Sequence, residues 1–237
     1  MTEISVPDWL KMKKLGRAGG EARGGGGLGQ GAVAMTIHSQ AAAVAKVERI
    51  VKVAKASFFD AVDFLACIEV LEAGNRHEID RAVTAANAGR AADLVKRALF
   101  GHCLMSVMTA FDPERSAGDF HLGVGMKLVA DPITREHLLK RNGANLADIE
   151  SAQRRWVDCL NFKPLKSLRT FRNKSVVHMS DYSADMEQPV VHQLFELARM
   201  TAEVAEHLAH GTGIAAVSLE SLVGLFRESG RAFWDKW

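Results

Sequence analysis

From about Ser39 onward, apolar residues recur at spacings of three and four, the period of a helix with one buried face. Ser39 is suited to cap a first helix running to about Ala73, with the stripe Val44, Val47, Val51 and Ala54 continued by Phe58, Val62, Leu65 and Ile68. Gly74-Asn75 supplies its stop. A second helix is predicted from about Glu78 to Thr109. Its later half is apolar on most faces and reads as central core. Phe111–Gly118, which contains Asp112-Pro113, reads as a loop. Short helices follow at about His121–Val129 and Thr134–Arg141, then one from Asn145 to about Asn161 with Ile149, Trp156 and Leu160 inward. After Pro164 a helix begins with the stripe Leu165, Leu168, Phe171. Two more helices are predicted, at about Val190–His210 and Leu219–Phe226. No alternating pattern is long enough for a strand, and no repeat suggests a solenoid. The fold class predicted is an all-α helical bundle.

Composition changes the picture at the N-terminus. Gly19–Gly31 is glycine-rich and of low complexity, and it follows no strand that would make it a nucleotide-binding loop. Residues 1–38 are read as a flexible extension, with Met35 an alternative start, residues 39–212 as the bundle, and 213–237 as a C-terminal helix and tail. The net charge of +2 excludes nucleic-acid binding by overall charge, so any such site must be a local patch. Cys67, Cys103 and Cys159 sit far apart in apolar segments with no CxxC pair; they read as buried free thiols of a cytoplasmic protein. Apolar runs are interrupted by charge well before a membrane span, so no membrane partner is expected.

The candidate chemistry lies at Leu165–His178. Lys166, Arg169, Arg172 and Lys174 form a basic run, Asn173 follows Arg172, and His178 closes the segment, with Asp181 close behind as a group able to orient an imidazole. In a regular helix, positions six apart differ by roughly 120° and rise about 9 Å. Arg172 and His178 therefore do not share a face. They converge if the helix unwinds near His178, or if two copies of the segment meet across a two-fold axis. A rival cluster is Glu203, His207 and His210, which could share a metal but lacks the H-E-x-x-H spacing; a helix C-terminus favours histidine on electrostatic grounds alone. His77, His102, His121, His137 and His192 lie in separate segments and read as structural, Glu69 and Glu72 as a solvated face, and Arg154-Arg155 as helix-surface charge.

Arg172-Asn173-Lys174-x-x-Val177-His178 resembles the R-x(4–6)-H motif of the HEPN superfamily. Trp156, the Leu168-Arg-x-x-Arg-Asn-Lys spacing and the Phe111-Asp-Pro113 loop after an apolar helix are similar to its abortive-infection AbiU-type branch, over about Ala43–His210. Val177 stands where that branch usually has alanine. The resemblance implies a homodimer with both motifs at the interface and a toxin or phage-defence endoribonuclease that needs no metal and no cofactor. Its expected regulator is an antitoxin. By the same resemblance, His178 and Arg172 would be catalytic with Asn173 assisting, and Lys166, Arg169 and Lys174 would contact RNA. Superfamilies of this kind also contain non-catalytic RNA- or protein-binding modules, and the motif does not separate the two.

Overall fold

The computed structural model describes residues 30–177, 191–214 and 217–236. The chain divides into two units, Met1–Ser39 and Gln40–Trp237, and every side chain discussed below belongs to the second. Among the described residues the protein is all α: α1 (Gln30–Gly74), α2 (His77–Ala85), α3 (Gly89–Thr109), α4 (Leu122–Val129), α5 (Pro132–Leu139), α6 (Leu146–Leu160), α7 (Leu165–Phe171), α8 (Val191–Gly211) and α9 (Leu219–Trp234). A π-helical turn, Arg172–Val177, continues α7 directly. The only β pairing among these residues is an isolated bridge between Ala144 and Thr212. No helix among them is long and apolar enough to cross a membrane.

The α1 stripe is buried from Val47 through Ile50, Val53, Ala54, Ala61, Phe64, Leu65 and Ile68, whereas Val44, placed on the stripe by its spacing, is exposed. The helix predicted at Glu78–Thr109 is two helices. Asn87 between them adopts φ 54°, a left-handed conformation that asparagine tolerates better than most residues, and the Ala88 amide reaches back to the Val83 carbonyl at 2.9 Å. α3 is not the fully buried helix expected: Cys103, Leu104, Val107 and Met108 enter the core, but Leu94 is 69% exposed. At α6, the Asn145 side chain accepts from the Ala147 amide, the N-cap its position predicts. α6 packs along α8, and Ile149, Ala152 and Cys159 meet the buried face of α8, with Leu194, Leu197 and Val204 fully buried. Leu160, predicted inward, is 46% exposed.

α9 runs past Phe226 to Trp234, which is fully buried. The Trp234 indole N–H donates to the Val70 carbonyl at 2.8 Å, and the ring lies so close to Gly74 that only a glycine fits there. Immediately before Val70 in the chain, Glu69 departs from its predicted solvated face. It is 2% exposed, pairing with Arg227 of α9 at 2.9 Å and lying 3.9 Å from Arg199 of α8. An acid this buried in an apolar bundle requires such cations. Glu72 remains on the surface side of the same cluster, paired with Arg199 at 2.7 Å. All three cysteines are buried and unpaired to one another.

Candidate functional site

On α7, Leu165 and Leu168 are buried, and the next position on the same stripe after Leu168 is Arg172, which is 8% exposed. Phe171, read from the sequence as the third stripe residue, is only partly buried. A cation on an apolar stripe needs a counter-charge inside. The loop after α3 supplies it. Arg172 Nη1 donates to both carboxylate oxygens of Asp112, at 2.9 and 3.0 Å. Its Nε and Nη2 donate to Asn173 Oδ1, at 3.0 and 2.9 Å. A carboxylate and an amide oxygen therefore hold the guanidinium plane from two sides.

The other members of the basic run separate. Arg169 turns to the same loop and donates to the Phe111 carbonyl at 3.0 Å. Lys166, Asn173 and Lys174 lie on the exposed side. His178 and Asp181 lie outside the described residues. The backbone widens from α to π geometry at Arg172 and keeps it to Val177, the residue before His178. The regular helix in which Arg172 and His178 would diverge thus ends at Phe171. Isolated π turns are rare and frequent at functional sites.

The loop that receives Arg172 is itself held from several elements. Arg49 of α1 pairs with Glu114 at 2.8 Å and donates to the Asp119 carbonyl at 3.0 Å. Lys127 of α4 takes the other Glu114 oxygen at 2.8 Å. These two cations, Lys127 foremost, hold the Glu114 carboxyl below its usual pKa. Asp119 accepts from the Arg115 and Ser116 amides and the Ser116 hydroxyl, which lowers its pKa to about 2. Phe111, 7% exposed, stacks on Trp156 of α6 with ring centroids 5.0 Å apart and planes 9° apart. Beside this stack lies a cleft of about 390 Å³, lined among others by Asp112, Glu114, His121, Lys127, Trp156 and Leu160.

Sequence reasoning missed Asp112 as the partner of Arg172 and His121 as a wall of the cleft. The signal for Asp112 was available: Arg172 falls four positions after Leu168 on an apolar stripe, and such an arginine calls for an acid elsewhere. Nothing in the sequence joined His121 to this region. Both its ring nitrogens are buried without a hydrogen-bond partner, as is the Ser57 hydroxyl across a small space that both line.

The rival Glu203–His210 cluster comes apart. Glu203 pairs with Arg155 at 2.9 Å, and His207 Nδ1 lies 3.2 Å from Asp148. Among the described residues no three His, Cys, Asp or Glu side chains come together in a way that could hold a metal ion. Arg155 is thereby committed to Glu203 and Asp158, and Arg154 donates to Ser151. Comparison with protein-family models, with curated proteins and with solved structures finds no match for this chain.

Proposed function

We propose that this chain is a metal-independent endoribonuclease of HEPN type, a toxin or phage-defence effector in the cytoplasm, with Arg172 and His178 at its centre. The observation that carries the reading is the setting of Arg172. It is nearly buried, clamped by Asp112 and Asn173, and stands at the first position of a π turn that leads to His178. A cation immobilised at the cost of its hydration is suited to stabilising charge that develops late on a phosphate, because it needs no reorganisation at that moment. Asn173 then fixes the arginine rather than the substrate, and Lys166 and Lys174, on the exposed side, supply backbone contacts to RNA.

In this scheme the ribose 2′-oxygen attacks the adjacent phosphorus and the bond to the 5′-oxygen breaks. The 2′-proton leaves to a base and the 5′-oxygen gains a proton from an acid, with His178 serving one of these roles. The products are a 2′,3′-cyclic phosphate and a 5′-hydroxyl. RNA is the required polymer because the internal nucleophile is its 2′-hydroxyl. A second copy of the chain, meeting the first through the segment that carries Arg172 and His178, would complete the site, and an antitoxin would restrain it.

The test is incubation of purified protein with total RNA and transfer RNA in chelator, followed by end-group analysis. Cleavage leaving cyclic phosphates, abolished by Arg172→Ala and by His178→Ala, supports the reading. Cleavage that requires added metal, or that survives His178→Ala, overturns it. One observation favours a second reading, a non-catalytic RNA-binding module: Asp112 already neutralises Arg172. That reading predicts RNA binding with no cleavage, lost on charge reversal at Lys166 and Lys174.

A further inference from the structure

The cleft beside the Arg172–Asp112 pair has the features of a base-recognition subsite. One wall is aromatic: Trp156 lies in the cleft with Phe111 stacked parallel to it, so the indole is held rigidly by a ring at 5.0 Å and 9°. A ring fixed this way offers a stacking platform whose rotamer entropy is already spent. Leu160, one helical turn beyond Trp156 and 46% exposed, extends that wall with apolar surface that has no apparent structural use. The same cleft also carries two carboxylates, with Lys127 beside Glu114. Asp112 and Glu114 line the cleft, and both are fixed in place, Asp112 by Arg172 and Glu114 by Arg49 and Lys127. Ionised carboxylates only accept hydrogen bonds, and each keeps lone pairs beyond those its cation uses. The volume of about 390 Å³ is in the range of small-ligand sites and exceeds what a single base requires.

The chemistry of these lining residues narrows the occupant. A planar ring is needed for the Trp156 face. A donor-bearing edge is needed for the carboxylates, which would repel the carbonyl-rich edge of uracil. Guanine is the base that presents two adjacent donors, its ring N–H and exocyclic amino group, to a single carboxylate. Asp112 belongs both to the cleft and to the clamp on Arg172, so a base seated here would lie next to the clamped guanidinium.

We infer that the cleft lined by Trp156, Asp112 and Glu114 is a guanine-binding subsite that positions RNA next to Arg172. The inference rests on the reading of this face as RNA-facing, but its test does not require cleavage. Isothermal titration of the full chain with GMP, AMP, CMP and UMP should show GMP binding about tenfold or more tighter than UMP. Trp156→Leu should weaken GMP binding about tenfold, in line with the loss of one base–aromatic stack. Leu160→Trp, at an exposed position where folding is not at stake, narrows the cleft and should weaken GMP binding too. Equal affinity for GMP and UMP, or GMP affinity within twofold of the parent in both variants, overturns the subsite. GMP binding by a protein that never cleaves RNA keeps the subsite and removes the nuclease. Cleavage with no base preference does the reverse.

Discussion

Replacing Asp112 with alanine leaves Arg172 as a nearly buried cation without its counter-charge. The Arg172 side chain is 9% exposed and that of Asp112 27%. Unpairing a fully buried ion costs about 3–5 kcal/mol. Here water can enter from the Asp112 side, and Asn173 still accepts two bonds from the guanidinium, so the loss should be about 2–3 kcal/mol. For a folded unit of this size that is a fall in Tm of roughly 4–12 °C. Asp112→Asn keeps an acceptor but loses the charge and should cost about 1 kcal/mol. The decisive comparison is the double variant Asp112→Ala with Arg172→Met, which removes both charges and leaves an apolar side chain on an apolar stripe. It should be more stable than Asp112→Ala alone, giving a coupling energy of about 1–3 kcal/mol. Urea unfolding followed by far-ultraviolet circular dichroism measures all four corners of the cycle. Additive effects, or an Asp112→Ala change within about 0.5 kcal/mol of zero, would mean that the pair is a surface contact and that Arg172 is not held by it.

Three further predictions concern the frame around the site. Gly74→Ala puts a methyl group 2.5 Å from Trp234 Cε2, so the ring must shift from the Val70 carbonyl; denaturant melts should show a loss of about 1–3 kcal/mol. Burial pushes the thiols of Cys103 and Cys159 up to about 12, so neither should react with a thiol-specific reagent at neutral pH until guanidinium unfolds the protein. Asp119 and Glu114 both titrate below their unfolded values, so their contributions are complete above the ordinary carboxylate range and fade on acidification below it, that of Asp119 towards about 2. Stability should therefore drop on acidification through that window, and Asp119→Asn should flatten the drop; an unchanged pH profile in that variant would contradict the assignment.

The helical architecture was legible because it rests on one local signal, apolar residues every third or fourth position, and stretches that carry it strongly, such as α6 and α8, form helices close to their predicted bounds, whereas α1 begins at Gln30, nine residues before the Ser39 cap its pattern suggests, and holds Ser39 inside the helix. What the pattern could not show were tertiary choices. Asn87 breaks a continuous helical pattern at a single residue. Glu69 looked solvated because its two arginines lie far along the chain, on α8 and α9. At the site, the basic run read as one patch because its members are adjacent in sequence. The structure divides it by facing, with Arg172 inward and Lys166 outward, as the period from Leu165 and Leu168 requires. The geometric conflict between Arg172 and His178 was also visible in advance, since it follows from the helix repeat. The π turn at Arg172–Val177 was not, because no residue in that turn signals it locally.

The most direct test of the central proposal is end-group analysis of RNA treated with purified protein in the presence of chelator, run in parallel with the Arg172→Ala and His178→Ala variants. The account predicts fragments ending in 2′,3′-cyclic phosphate from the parent protein and intact RNA from both variants. Fragments bearing 5′-phosphates, activity that appears only with added metal, or full cleavage by either variant would contradict it.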